Sequence, residues 1–174
     1  IRLTNSSRAA GGNWSVANGA YYQRNSNTTG PDLNPALGGR MFYHIEGSNY
    51  SDFEATVEAQ VVSSPTRVRE LSVIFRATTD LQNFYFVRLW SGSTPGDDHF
   101  QLYKYIEGES VLVQTVTTDY LTGGTWFIFK LSAKGDQIRA KVWKKGTPEP
   151  YQWDLTVTDP DHVSGLFALA TYST

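Results

Sequence analysis

The residues with the most useful chemistry cluster in two consecutive segments, 75–90 and 97–105. Arg76 and Arg88 alternate with apolar residues in the first segment, so we expect them on the same face of neighbouring strands, and Lys104 lies in the second. Guanidinium and ammonium groups donate hydrogen bonds to hydroxyls, and aromatic rings stack on the flat face of a sugar ring. The pattern is typical of a sugar-binding surface, although arginines are also common on the wet side of any half-buried sheet. The candidate ligand-binding residues are Arg76, Arg88, Trp90, Asp97, Asp98, His99, Lys104 and Tyr105.

These candidates divide into three expected roles. The two arginines and Lys104 would donate to hydroxyls, and either aspartate of the Gly-Asp-Asp-His segment 96–99 would accept. Trp90, Tyr105 and Trp143 fall out of phase with their inward-facing neighbours, so they are the expected exposed stacking platforms. The alternative for segment 96–99 is an ordinary polar turn.

A second group of carboxylates lies before the last apolar run. Asp159-Pro160-Asp161-His162 forms a turn, and carboxylates at turns bind calcium together with backbone carbonyls. We therefore expect a structural calcium on Asp159 and Asp161, with Asp52 or Asp154 as further ligands if the fold brings them near. The alternative is a plain Asp-Pro turn.

Bulk composition excludes several classes of function. The 174 residues form one expected domain, 1–174, that can bury a core, and none of them is cysteine. Disulfides, thiolate zinc sites and cysteine nucleophiles are therefore excluded. A net charge of -2 argues against nucleic acid, and no apolar run is as long as a membrane span. The cysteine-free composition favours a secreted domain, and we expect the chain to be a mature or excised piece.

Turn signals divide the chain into short β-rich runs. Asn18-Gly19 predicts a two-residue hairpin, and segment 53–61 alternates apolar and polar residues at every position. The same alternation continues in the later strands, and the expected core positions are Phe53, Ala55, Val57, Ala59, Val61, Phe127, Phe129, Leu131, Ile138, Ala140 and Val142. Little in the sequence favours helix. The pattern predicts an all-β antiparallel sandwich. The expected strands lie near 14–24, 41–46, 52–61, 70–78, 83–91, 99–106, 111–117, 125–133, 137–143, 151–157 and 165–172.

The order of these segments resembles a known superfamily. The segments are a Trp-x-Val-x-Asn-Gly hairpin at 14–19, DFEATVEAQV, FRATTDLQNFYFVRLW, HFQLYKYIEGESVLVQT, GTWFIFKLSAKGDQIRAKVW and a closing VTDPDHVSGLFALATY. Together they resemble the concanavalin A-like lectin/glucanase superfamily. Within it they are most similar to laminin-G-like bacterial modules that bind levan and fructan, and to the related 3-keto-disaccharide hydrolase domains. The resemblance implies a jelly-roll β-sandwich of two antiparallel sheets, with the ligand on the concave face or its rim. It also implies a structural calcium, and structural roles for Trp14 and Trp126.

The sequence gives no positive evidence for catalysis. Retaining glucanases of this fold use a Glu-x-Asp-x-x-Glu strand, which is absent. Glu54 and Glu58 share a strand face but would lie roughly 13 Å apart, too far for a nucleophile and acid pair. Arg67 and Arg69 resemble one element of the alginate lyases, whose Gln-x-His strand is missing; they are more simply loop-edge charges. His44, His99 and His162 lack the spacing of metal ligands.

The expected function is non-catalytic binding of a polysaccharide or oligosaccharide by a secreted module of a glycan-degrading enzyme. Such a module would be monomeric or part of the multidomain enzyme. Two alternatives stay open: a glycoside hydrolase-like or polysaccharide lyase-like enzyme of the same fold, and a cell-surface or phage adhesion domain.

Overall fold

The computed structural model describes most of the chain after residue 48, with three short strands before it. It describes the backbone of residues 14–17, 20–23, 41–44, 49–60, 69–91, 96–107, 109–118 and 123–173. Side chains are described for 49–60, 70–91, 96–107, 109–118 and 123–170. The strands within these ranges are β1 (Trp14–Ala17), β2 (Ala20–Gln23), β3 (Met41–His44), β4 (Phe53–Gln60), β5 (Arg69–Ala77), β6 (Phe84–Ser91), β7 (Asp98–Ile106), β8 (Glu109–Thr118), β9 (Trp126–Lys134), β10 (Gln137–Lys144), β11 (Leu155–Thr158) and β12 (Leu166–Ser173).

Two antiparallel sheets form the body of the protein. One has four strands in the order β11-β10-β9-β4, and the other has six in the order β3-β12-β5-β6-β7-β8. Strands β1 and β2 pair separately, with Ala17 opposite Ala20, as the predicted hairpin requires. The predicted jelly-roll β-sandwich is confirmed. Within the described ranges no helix is long and apolar enough to cross a membrane.

The core lies between the two sheets and follows the predicted alternation. In β4 the apolar residues pack on the core while Glu54, Thr56 and Glu58 are exposed. Every second residue of β9 and β10 packs on the core in the same way, and Ser132, Lys141 and Trp143 are buried on the opposite face as well. The largest buried core side chains are Phe75, Tyr85, Leu89, Phe100, Leu102, Phe127 and Phe129. Two-residue periodicity therefore sets which face of each strand meets the other sheet.

The six-stranded sheet has a second face, which we call the outer face because it points away from the four-stranded sheet. Half of it carries a smaller apolar cluster that includes Ile74, Phe84, Phe86 and Tyr105. The other half carries polar side chains from β5, β6 and β7. The outer face is therefore the place where the fold brings polar groups of neighbouring strands together.

Bulges shift the phase of two strands in this sheet. Strand β5 has one extra residue between Ile74, which pairs with Ala168, and Ala77, which pairs with Leu166. Arg76 lies in this bulge and has a φ of 52°. Strand β8 gains one residue between Gln114 and Leu112. A bulge reverses the side-chain direction of every residue beyond it. Residues of β5 after Phe75 therefore depart from the alternation that precedes them.

Candidate functional site

Arg88 is at the centre of a polar cluster on the outer face. The Arg88 cluster consists of Arg88, Glu70, Ser72, Gln101 and Tyr103. Arg88 Nη1 donates to Glu70 Oε2 at 3.1 Å, Nε donates to Gln101 Oε1 at 2.7 Å, and Nη2 donates to Tyr103 Oη at 2.9 Å. Ser72 Oγ donates to the other oxygen of Glu70. The guanidinium is therefore fixed by side chains from strands on both sides of β6.

Burial differs sharply within this cluster. The Glu70 side chain is fully buried, whereas 14% of the Arg88 side chain is exposed. A buried carboxylate needs a charged partner, and Arg88 supplies it. Gln101 is held in turn, because its Nε2 donates to Thr115 Oγ1 at 3.3 Å. Glu70 and Gln101 therefore orient Arg88, and Arg88 and Tyr103 are the members of the cluster that stay partly exposed to a ligand.

Aromatic rings border the exposed side of Arg88. The Arg88 guanidinium carbon lies 4.5 Å from the ring centre of Tyr103 and 5.8 Å from that of Trp90. Trp90 pairs across the sheet with His99, and their rings stack at 5.8 Å with an interplanar angle of 15°. His99 Nε2 lies 3.0 Å from Asp97 Oδ1. The cation of the Arg88 cluster thus lies beside the rings of Trp90 and His99 and near the partly exposed carboxylate of Asp97.

A second polar cluster lies where segment 159–162 packs against β6 and β7. The Asp159 cluster consists of Asp159, Asp161, Lys104, Tyr85 and His162. Lys104 Nζ donates to Asp159 Oδ2 at 2.8 Å and to Asp161 Oδ2 at 2.7 Å. Tyr85 Oη donates to Asp159 Oδ1 at 2.6 Å, and His162 N donates to Tyr85 Oη at 3.3 Å. These bonds tie the turn to the sandwich.

The electrostatics of the Asp159 cluster favour the ionised forms of Asp159 and Lys104. Burial alone would raise the pKa of Asp159, but the hydrogen bonds from Lys104 and Tyr85 outweigh it, so the pKa is lowered. The hydrogen bonds to Asp159 and Asp161 raise the pKa of Lys104. Burial and the bond to Asp159 raise the pKa of Tyr85, which therefore stays protonated. Asp159 and Lys104 stabilise one another in their ionised forms.

Arg76 joins this structural region and does not lie beside Arg88, so the predicted shared face was wrong. Its side chain turns at the β5 bulge and is 1% exposed. Nε and Nη2 donate to Ser51 O at 3.0 and 2.7 Å, and Nη1 donates to His162 O at 3.1 Å. Burial lowers the pKa of Arg76, and the carboxylate of Asp52 lies 3.8 Å away. Arg76 therefore crosslinks two loops through their carbonyls.

Gly165 lets this turn approach β5 closely. It bridges to Tyr50, and a Cβ atom on it would lie 2.4 Å from Ala77 O. Its φ of 153° is also one that other residues rarely adopt. A glycine is therefore required where the turn meets β5.

The structure brings together half of the predicted ligand-binding residues. Arg88, Trp90, Asp97 and His99 are neighbours, as the preceding distances show. The other four lie elsewhere: alternation accounts for Lys104 and Asp98, burial for Tyr105, and the β5 bulge for Arg76. Lys104 and Asp98 are in phase with core residues Phe100 and Leu102, so Lys104 extends to Asp159 and Asp98 is buried. Tyr105 is buried in the outer-face apolar cluster, so its predicted role as an exposed platform was wrong.

The other tryptophan expectations are also corrected. Trp143 is buried on the outside of the four-stranded sheet, with Lys141 Nζ 5.8 Å from its ring centre. Trp126 is exposed on that same side, with Lys145 Nζ 5.6 Å from its ring. Trp143 was expected to be exposed and Trp126 to be structural, so the exposure of these two residues is the reverse of the expectation. The side chain of Trp14, and Arg67 with the side chain of Arg69, lie outside the described residues.

Calcium at Asp159 and Asp161 stays a prediction. The ammonium of Lys104 lies between the two carboxylates, so a calcium ion there would have to displace it. Asp52 Oδ1 accepts from Gly135 N and Asp154 Oδ2 accepts from Val142 N, at 2.9 Å each. In the described part of the chain no group of three or more metal-ligating side chains is found.

Sequence reasoning missed Glu70, Gln101 and Tyr103 as members of the site. A signal for them exists: Glu70 and Ser72 pair across the sheet with Trp90 and Arg88, and residues 99, 101 and 103 alternate on one side of β7. Consecutive residues such as Lys104 and Tyr105 cannot share a face of a regular strand. Strict use of alternation would have selected Gln101 and Tyr103 in place of Lys104. Tyr105 has the same phase as Gln101 and Tyr103, and what removes it from the site is its burial in the outer-face apolar cluster, which alternation does not reveal.

Comparison with known proteins finds similarity at the level of structure. The carbohydrate-binding module CBM66 from Bacillus subtilis superposes with a TM-score of 0.68 at 14% identity, covering 94% of this chain and 88% of that one. The CBM2 module of an evolved Dit protein from Lactobacillus casei BL23 phage J-1 gives 0.63 at 15% identity, with 94% and 71% covered. Sheep galectin-11 gives 0.50 at 14% identity, with 76% and 88% covered. No protein-family model and no curated protein sequence matches the chain.

These comparisons agree with the observed fold. At 14–15% identity they establish a fold and not a ligand, because one fold carries many functions. The chain has the jelly-roll β-sandwich fold that these solved structures share.

Proposed function

We propose that this protein binds carbohydrate, without catalysis, at the Arg88 cluster on the outer face of the six-stranded sheet. The observation that carries the proposal is the partly exposed side chain of Arg88, whose guanidinium is held by Glu70, Gln101 and Tyr103 beside Trp90. A ligand that meets Arg88 here finds a donor whose direction is already fixed. Preorganisation of this kind lowers the entropic cost of binding.

The chemistry of the cluster suits a sugar ring. Arg88 donates to hydroxyls, the exposed part of Asp97 accepts from them, and the stacked rings of Trp90 and His99 offer an adjoining aromatic surface. A sugar presents hydroxyls at its edge and C–H groups on its face, so both kinds of contact are used at once.

The charges favour a neutral glycan. Glu70 is buried within hydrogen-bonding distance of Arg88, so the positive charge of Arg88 is already largely compensated. An anionic sugar would gain little from Arg88 and would be repelled by Glu70 and Asp97. Hydroxyl recognition carries no such penalty.

Similarity to proteins with relevant names supports the same class of ligand. Two of the similar structures are named as carbohydrate-binding modules, and the whole length of this chain is nearly covered in both. Following the cysteine-free composition, we extend the proposal to a secreted module attached to a glycan-degrading enzyme. The complete gene tests this extension, because it should encode a signal peptide and a hydrolase or lyase domain.

A glycan screen with matched variants tests the function. The wild type should bind one or more neutral glycans. Arg88→Lys keeps the positive charge beside Glu70 but loses the planar guanidinium with its several N–H donors, so the affinity for the glycan should fall by about five- to 150-fold. Arg139→Lys makes the same change on the other sheet, where Arg139 stacks on Trp153, and should bind like the wild type. A folded Arg88→Lys protein with unchanged affinity, or a wild type that binds no glycan, would contradict the proposal.

A further inference from the structure

Strand β8 is an edge of the six-stranded sheet. It runs for ten residues, Glu109–Thr118, and pairs with β7 on one side. Among the described strands none pairs with its other side. An edge strand presents a row of backbone N–H and C=O groups that can pair with another strand.

The side chains of β8 do not protect this edge. From Ser110 to Thr118 it contains no charged residue, proline or glycine. Val111 is 43% exposed and Leu112 is 46% exposed, on opposite faces of the strand. Natural sheets usually protect edges with charges or proline. Strand β8 has the composition that favours pairing.

The two edges of the four-stranded sheet contrast with β8. Strand β4 carries Glu54 and Glu58, which form ion pairs with Lys130 and Lys145. Strand β11 is only four residues long, and its Thr156 N–H donates to the side chain of Gln114 at 2.9 Å. Charge protects one edge, and short length with a side-chain cap protects the other. Of the three edges whose side chains are described, β8 alone is long and has no charged residue after its first position.

We propose that β8 pairs antiparallel with β8 of a second copy of this chain. A two-fold axis through the middle of the strand places the same edge on both partners, which is the geometry of an isologous dimer. The one charged residue of the strand, Glu109, lies at its first position. Antiparallel pairing therefore places each Glu109 near the Thr118 end of the other copy, so that no like charges meet. A charged partner strand would gain no ion pair along this edge.

The pairing has a consequence that rests on the proposed function. It joins the two six-stranded sheets into one, with both outer faces on the same side. Arg88 is on β6, two strands from the edge, so five strand spacings separate the two Arg88 clusters, or roughly 24 Å. Two sites on one surface can engage a single polysaccharide or neighbouring chains, which raises apparent affinity without a new contact.

The contact is small, so the dimer should depend on concentration. A strand of ten residues is roughly 33 Å long, and a contact about one strand wide is at the low end of interface sizes. The expectation of a monomer from the sequence then holds for dilute protein, and dimers form as concentration rises.

Sedimentation velocity from about 1 μM to about 1 mM tests the proposal, since an equilibrium in this range corresponds to a weak interface. The wild type should shift from monomer towards dimer. Leu112→Lys places two charges near the two-fold axis and should weaken association at least about ten-fold. Thr56→Lys adds the same charge at an exposed position of β4 and should leave association unchanged. Melting curves establish that each variant is folded, and Val111→Lys replaces Leu112→Lys if the latter unfolds.

Each outcome decides the proposal. A wild type that stays monomeric throughout the range overturns it and leaves the edge to a strand of another protein. A dimer that survives the folded β8 substitution, or that Thr56→Lys disrupts, also overturns it. Carbohydrate binding is measured separately on dilute protein, so that failure of the dimer and failure of the sugar site are distinguishable.

Discussion

Arg76 and Arg88 come from neighbouring strands of the same sheet and differ in almost every other respect. Arg76 is 1% exposed and donates to the carbonyls of Ser51 and His162, which belong to distant loops. Arg88 is partly exposed and donates to side chains of adjacent strands. The first arginine holds the backbone together, whereas the second is itself held in place by other side chains.

This difference shows how to separate a structural arginine from a binding one. Buried carbonyls need donors, and an arginine that supplies several of them is part of the fold. A side chain fixed by its neighbours but still reachable has its orientation determined before a ligand arrives. Sequence position gives no hint of the distinction, because the two residues look alike in their strands.

The largest expected effect is on stability, in Arg76→Lys. A lysine cannot reach Ser51 O and His162 O at once, so at least one buried carbonyl loses its donor. We expect a loss of about 3 kcal/mol in the free energy of unfolding, or roughly 6–12 °C in the melting temperature. Thermal melts followed by circular dichroism measure it.

Arg88→Lys is the matched control for that measurement. Its ammonium still pairs with Glu70 at a partly exposed position, so the loss should stay within about 1 kcal/mol. Equal losses for the two variants would mean that the structural and binding roles are not divided between the arginines.

A smaller effect, with a characteristic pH dependence, is expected for Lys104→Met. The variant leaves Asp159 and Asp161 without their cation, and we expect a loss of about 2 kcal/mol at neutral pH. Asp159 has a lowered pKa, so its contribution is complete above the unfolded value of about 4 and is lost as pH falls through the lower folded value. Lys104 has a raised pKa, so its contribution is complete below about 10 and is lost as pH rises through the higher folded value.

Denaturant unfolding of both proteins across pH measures this difference. The difference in the free energy of unfolding between the wild type and Lys104→Met should be constant between about pH 4 and pH 10 and should become smaller at lower and higher pH. A difference that does not change at low pH would show that the Asp159 cluster does not act through its charges.

The smallest expected effect concerns calcium. Lys104 already compensates the carboxylates of Asp159 and Asp161, so removing divalent ions with a chelator should leave the melting temperature of the wild type unchanged. A bound ion at a hundred times its dissociation constant would add about 2.7 kcal/mol, which a melt detects easily. A clear drop on chelation, reversed by added calcium, would support the metal site predicted from the sequence.

The fold was predictable because local patterns and turn signals agree along the whole chain. Alternation in β4, β9 and β10 identified core positions such as Val57, Phe129 and Val142 without any knowledge of the partner strands. Hydrophobic burial depends on these periods, so it is recorded in the sequence itself.

The site was only half predictable, for two physical reasons. The bulge in β5 redirects Arg76, and a single sequence does not reveal where an extra residue enters a strand. The ion pairs of Lys104 join residues 55 and 57 positions away, which requires knowledge of how a loop packs. Arg88, Trp90 and His99 were identified because they follow simple alternation in paired strands.

The most direct test of the sugar site is a glycan titration followed by the indole N–H signals of the protein in a ¹H–¹⁵N spectrum. The chain has five tryptophans, and Trp90 is the one beside Arg88. With a glycan that the wild type binds, the Trp90 signal should shift while those of Trp126, Trp143 and Trp153, which lie on the four-stranded sheet side, stay in place. Shifts at Trp126 or Trp153 with an unchanged Trp90 signal would place the binding surface on the other sheet and contradict the account.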